Sequence, residues 1–179
     1  IVVSAGFRDG GEAGRSLEAE LKLSARRAGV RFLGPHSLGV IRTDLGLNAA
    51  CGPDQPLPGR LALVSESGAL CAAMIDWSRS RRVGFSTVIS TGVSADIGLN
   101  EILDFLVHDA ATDSIMLYVE GIQDARRFMS ALRAAARVKP VVVMKSGRHA
   151  ESAGAAAFHT GALVGADDVF DAAMRRAGV

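Results

Sequence analysis

Short β-branched apolar runs alternate along this chain with stretches whose apolar residues recur every three to four positions. Such alternation predicts parallel strands joined by crossover helices. The opening "IVVSAG" reads as a buried strand. Leu17, Leu21, Ala25 and Ala28 then follow helical spacing, and "VRFLG" reads as a second short strand. From Gly34 to Gly59 no period is clear, and all but one of the five prolines lie there, so this stretch reads as a domain boundary. The rhythm restarts at Arg60. "RLALVS" is a predicted strand, followed by a helix with Leu70, Met74 and Trp77 on one face. "FSTVIST" precedes a helix that groups Leu99, Ile102, Leu103 and Leu106. "SIMLYVE" precedes a helix with Ala125, Phe128, Leu132 and Ala135. "PVVVMKSG" is the next strand, and Asp167 to Ala177 reads as a last helix.

Four β/α units in succession predict an α/β fold with a doubly wound parallel sheet of the flavodoxin-like kind. Right-handed crossovers bring the loops that follow the strands to one edge of that sheet. Those loops are "SESGA", "TGVSAD", "VEGIQD" and "KSGRHAESAG". Ser65 to Gly68, Glu120 and the thin loop bearing His159 are therefore expected to converge.

The chemistry of these residues leaves alternatives. "VSESGAL" runs from strand to helix through serine and glycine. Free N–H groups at a helix start, with the positive end of its dipole, form a phosphate site. The same residues equally serve as an N-cap and a tight turn. Glu120 ends an apolar strand, where a carboxylate can orient an imidazole or cap the next helix. Asp96 reads as a cap or a loop-shaping residue. His159 can be a ligand, a base or a nucleophile. No second histidine, cysteine or carboxylate stands at ligand spacing in its loop, so no metal is expected. His36 and His108 read as surface or loop residues. Gly161 and Gly165, with the alanines around His159, let a backbone move and approach an anion closely.

Composition narrows the picture. The 179 residues suit one domain or one domain with a piece of another, and a 49% hydrophobic content can fill a core. A formal net charge of +1 gives no electrostatic case for nucleic acid or an anionic membrane. Arg79, Arg81 and Arg82 fall at a helix end. Cys51 and Cys71 show no metal-type spacing and read as two reduced thiols, Cys71 packed in a helix. No run approaches the length of a membrane span, and no leader pattern opens the chain. A cytoplasmic location is expected. The start on "IVVSAG" without methionine suggests a fragment.

Taken together, "LGPHSLGVI…LNAA", "LALVSESGAL", "MLYVEGIQDARRF", "PVVVMKSGR" and "FHTGALVGADDVFDAAMRRAGV" resemble the NDP-forming acyl-CoA synthetases. That superfamily includes succinyl-CoA synthetase α subunits and ADP-forming acetate–CoA ligases. The resemblance runs in order over nearly the whole chain, most specifically around His159. It implies that residues 1–34 end a Rossmann-like CoA-binding domain, that 35–59 are a linker, and that 60–179 form a flavodoxin-like ligase domain. It implies that His159 is transiently phosphorylated while Glu120 orients it. Ser65, Ser67, Gly68 and Gly161 would hold the phosphate, and Pro35 and Ser37 would lie near the thiol end of CoA.

The implied cofactors are CoA and, in the complete protein, ATP or ADP with Mg at a site outside this chain. The implied partners are an ATP-grasp domain or β-type subunit, a small carboxylic acid or acyl phosphate, and a homo-oligomeric assembly is compatible with them. The glycine-rich loop that grips the CoA nucleotide is absent, so the chain alone is expected to bind CoA poorly. Two departures stand out: His36 replaces the usual asparagine, and Glu66 stands where glutamine or arginine is more familiar.

A competing reading is a CoA-sensing regulatory domain of a protein fused to a GNAT-type lysine acetyltransferase. "DWSRSRRVGFS" and "DARRFMSALRAAARVKP" are similar to such fusions, whereas retention of His159 favours ligase chemistry. A flavin site is disfavoured, because Trp77 and Tyr118 sit within elements and leave no aromatic pair to stack on the ring.

Overall fold

The computed structural model describes residues 1–52, 54–147 and 167–179. After a short 3₁₀ turn come α1 (Gly11–Arg27), β1 (Gly39–Arg42), β2 (Leu47–Ala50), β3 (Pro58–Ser65) and α2 (Gly68–Arg81). Then follow β4 (Phe85–Ser90), α3 (Leu99–His108), β5 (Ser114–Val119), α4 (Ala125–Ala136), β6 (Val141–Lys145) and α5 (Asp167–Ala177). Six strands form one sheet in the order β2-β1-β4-β3-β5-β6. β4, β3, β5 and β6 are parallel, and β1 adds antiparallel to β4. The parallel part is the flavodoxin-like doubly wound arrangement. Its chain path runs from β3 outward to β4, then crosses back to β5 on the other side, which makes the β3–β5 boundary the topological switch point.

β4 is buried at all six positions, as a central strand covered on both faces must be. On one face α3, α4 and α5 bury the larger core, with Leu103, Leu106, Leu117 and Leu132 fully enclosed. α3 presents Leu99, Ile102, Leu103 and Leu106 to it, as their spacing predicts. On the other face α2 covers Ile41, Leu63, Phe85 and Val88.

Three expectations are corrected. The stretch 35–59 is more than a linker, since it contains the β1–β2 hairpin, which extends the sheet through Val40↔Ile89 and Ile41↔Val88. Its strands are four residues each, too short for a period to emerge. "IVVSAG" and "VRFLG" run side by side without forming a ladder. Val2 N–H donates to Leu33 O at 2.9 Å, but Gly34, at φ 102, then turns the chain out of the extended region. The second segment spends its other bonds on the loop after β4: Gly34 N–H reaches Thr91 O at 3.1 Å, and Phe32 N–H reaches the Asp96 carboxylate at 2.8 Å.

The third correction concerns α2, which buries Cys71, Ile75 and Ser78 rather than Leu70, Met74 and Trp77. Ser78 is tolerated there because its hydroxyl donates to Ile75 O at 2.7 Å. Trp77 is 45% exposed, with the Arg81 guanidinium 4.6 Å from its ring centroid. Small side chains at 71 and 78 let the helix approach the sheet closely, and that outweighs the pull of the larger apolar residues one position away.

Candidate functional site

Parallel register fixes what meets at the switch point. Ser65, the last residue of β3, pairs with Ser90 on one side and Tyr118 on the other. The backbone continues this linkage past the strand: Thr91 N–H donates to Ser65 O at 2.9 Å and Glu66 N–H to Tyr118 O at 3.2 Å. The exits of β3, β4 and β5 are thus held together, and Ser67, Gly68 and Glu120 share one edge, as predicted. They line an open cleft of about 310 Å³ with Val3, His36, Ser37, Leu38, Cys51, Glu66 and Ala69.

The β3–α2 turn is built by two hydroxyls. Ser65 is fully buried; its Oγ accepts Ser67 N–H at 3.0 Å and donates to Ser67 O at 2.8 Å. Ser67 is the N-cap of α2, its Oγ accepting Leu70 N–H at 3.3 Å. The N–H groups of Gly68 and Ala69 have no intrahelical acceptor, being in the first turn, so they remain as donors toward the cleft. The N-cap reading of "SESG" is seen in Ser67. Ser65 is spent inside the turn, while Ser67, Gly68 and Ala69 line the cleft.

Ser37 is likewise only 1% exposed, its hydroxyl donating to Ser90 O at 2.6 Å and accepting Gly39 N–H at 3.1 Å. It shapes the floor of the cleft. Pro35 is buried beneath, where its carbonyl accepts Val93 N–H at 3.0 Å. Gly92 makes that approach feasible: it lies at φ 57, and a Cβ there would sit 2.0 Å from Pro35 O. His36 is exposed at the rim with φ 60, its backbone N–H held by Ser4 O at 3.0 Å.

Glu120 is half-buried at the exit of β5. Asp124, rather than Glu120, caps α4, accepting Arg127 N–H at 3.0 Å. That removes the capping alternative for Glu120. His159 and Gly161 lie outside the described residues.

Glu66 is the site residue whose part the sequence left undefined. Its Oε2 accepts the N–H groups of Glu120 at 2.6 Å and Gly121 at 3.0 Å. Burial pushes this carboxyl up to about 7; the two N–H donors oppose the shift, and the charge of Glu120 adds to it. The carboxyl that stands where glutamine or arginine is more familiar is turned toward the β5 exit. Cys51, also missed, lines the cleft because β2 ends there, and its N–H bonds Leu38 O at 2.8 Å. The hairpin carrying it was not legible in the sequence. Cys71 packs under α2 as expected; burial pushes its thiol up to about 12, against the opposing Ser65 hydroxyl.

A second cleft of about 210 Å³ opens on the α3–α4 side of Glu66, lined by Ser94, Asn100, Gln123 and Arg127 among others. Asp96 shapes the loop beside it, accepting Arg31 Nε at 2.9 Å as well as Phe32 N–H. Among the described residues no group of three or more potential ligands could hold a metal ion, and no helix is long and apolar enough to cross a membrane.

Known proteins share this sequence and fold. The family described as "Succinyl-CoA ligase like flavodoxin domain" matches residues 58–179. The α subunit of ADP-forming acetate–CoA ligase I from Pyrococcus furiosus is 44% identical over 99% of this chain and 38% of its own length. ADP-forming acetate–CoA ligase I from Archaeoglobus fulgidus is 44% identical over the whole chain and 26% of its own length. Among solved structures, the dinucleotide-forming acetyl-coenzyme A synthetase 1 of Ca. Korarchaeum cryptofilum, in complex with phosphate and ADP, superposes with a TM-score of 0.93. That match has 36% identity over 99% of this chain and 38% of the other. The chain thus spans well under half the length of these relatives.

Proposed function

The chain belongs to the succinyl-CoA ligase-like flavodoxin domain family, and from that premise we propose that it is the α-type portion of an ADP-forming acyl-CoA synthetase of the acetate–CoA ligase kind. The observation that carries this reading is the convergence of Ser67, Gly68 and Glu120 on one cleft at the switch point of the sheet. A helix start with unspent N–H groups suits a phosphoryl group, and a carboxylate across the cleft suits an imidazole that gains positive charge.

In this reading Glu120 hydrogen-bonds one nitrogen of His159, leaving the other to attack phosphorus. His159 takes the γ-phosphoryl group of ATP, the bond to ADP breaking, and passes it to a carboxylate to give an acyl phosphate. Bound CoA supplies the thiol that displaces phosphate from that acyl phosphate. Gly161 would let the histidine loop come close to the anion. Residues 1–34 close a CoA-binding part, 60–179 form the ligase domain, and an ATP-grasp domain or β-type subunit supplies the nucleotide and Mg site.

The rim residues Val3, His36 and Leu38 suit the thiol arm of CoA: they offer an apolar wall with one polar group, and Ser37 and Pro35 support them from below. His36 enlarges the side chain at the rim relative to asparagine, so His36→Asn is expected to change KM for CoA with little effect on kcat.

The test is ATP-dependent acyl-CoA formation by the complete protein. His159→Ala is expected to abolish it with the fold intact. Glu120→Gln should slow it without ending it, since the amide still orients the ring but supports less positive charge. A His159→Ala variant with wild-type turnover would overturn the reading.

A further inference from the structure

Glu66 lines both clefts, and its carboxyl makes a short contact between the β3 and β5 exits. Oε2 takes both the Glu120 and the Gly121 N–H, at 2.6 and 3.0 Å, while the Glu66 N–H itself bonds Tyr118 O at 3.2 Å. Three hydrogen bonds therefore run between Glu66, beside the start of α2, and Tyr118, Glu120 and Gly121 around the β5 exit. Two donors on one oxygen fix the orientation of the carboxyl. They also fix the place of any proton: Oε2 is filled with N–H donors, so only Oε1 can carry it.

We infer that Glu66 is a positioning residue that works as the neutral acid, Oε2 latching the backbone of Glu120 and Gly121 to the α2 start while protonated Oε1 keeps a second negative charge away from the anion cleft.

The surroundings favour that state near neutrality. Burial dominates and pushes the carboxyl up to about 7. The ionisable groups that line the clefts with it are His36, Cys51 and Glu120 on the α2 side and Asp96, Glu101, Asp124 and Arg127 on the α3–α4 side. Of these, the charge of Glu120 adds to the preference for neutrality. Asp96 and Glu101 are each paired with Arg31, at 2.9 and 2.6 Å, and so press on Glu66 less than their number suggests. A glutamine at this position reproduces the neutral acid atom for atom, with its carbonyl on the two N–H groups and its amide where the proton sits.

The latch rests on the fold alone; its bearing on phosphoryl transfer rests on the proposed function, and two measurements separate the two. The first follows the backbone amides of Glu120 and Gly121 by NMR in this chain across the neutral range. Both should shift together with a midpoint of about 7, and the transition should vanish in Glu66→Gln while the two amides keep their hydrogen-bonded positions. Amides that do not titrate in the wild type, or that titrate alike in Glu66→Gln, overturn the inference.

The second is the ratio of acyl-CoA formation by Glu66→Gln to that by the wild-type complete protein. Groups common to both cancel in this ratio, which should rise roughly thirtyfold between about pH 6 and about pH 8.5 when only the neutral acid supports turnover. Glu66→Ala, which removes the latch, should lose rate at every pH, and the Gln variant should restore it. A flat ratio overturns the role in turnover. A wild-type protein that forms no acyl-CoA at any pH overturns the proposed function instead, and the amide titration then decides the latch alone.

Discussion

A buried carboxyl whose proton is held more tightly in the fold than in the unfolded chain makes stability depend on pH in a fixed direction. Glu66 moves from 4.5 to about 7, so its relative stabilisation is full below about 4.5 and is lost as pH rises through about 7. Glu66→Gln removes that loss. Urea unfolding should show the variant about 1–3 kcal/mol more stable than wild type above about pH 8 and equal to it near about pH 4.5; equal stabilities at both would mean that the carboxyl does not titrate as described. Single residues also show where sequence reading stops. Ser65, Ser67 and Gly68 were legible as a strand-to-helix turn, but which hydroxyl faces inward depends on a register only the sheet supplies. Ser37 was legible as near the site and not as a buried support, because its partner, Ser90 O, is distant in sequence. Glu66 read only as a departure from the familiar glutamine or arginine, since its two acceptor bonds go to backbone N–H groups that no side-chain pattern reveals.

At the scale of elements, helical spacing identified α3 and α4 well because each has one unbroken stripe of large apolar residues. α2 has two stripes, and the one with smaller residues is buried. Ile75→Ala should therefore cost about 2–4 kcal/mol, whereas Trp77→Ala should cost less than about 1 kcal/mol, as an exposed ring stacked on one arginine. Thermal or chemical unfolding of the two variants checks this, and the reverse order would restore the face read from the sequence. The β1–β2 hairpin escaped notice for a different reason. Its strands are short, and β2 is mostly exposed, so hydrophobicity does not mark it. What holds it is backbone pairing to β4 and an ion pair from Arg42 to Asp109 at 3.2 Å, both long-range.

For the molecule as a whole, the doubly wound sheet was legible because crossover handedness leaves few ways to arrange four β/α units. The docking of residues 1–34 on it was not. That segment is tied to the loop after β4 by the Asp96 carboxylate, which accepts from Arg31 and from the Phe32 N–H at 2.8 Å. Asp96→Ala should cost about 1–2 kcal/mol and raise hydrogen exchange at Phe32 while leaving β3 and β5 protected; unchanged exchange at Phe32 would show that the clamp carries no load. The chemistry proposed for the whole assembly is a phosphoryl group resting on His159 between two reactions. Its most direct test is label transfer from γ-labelled ATP to the complete protein, read as acid-labile, base-stable phosphate mapped to one peptide. The account predicts label on His159, its loss in His159→Ala, and its slower appearance in Glu120→Gln. A complete, folded protein that forms acyl-CoA from ATP without ever carrying label at His159 would contradict it.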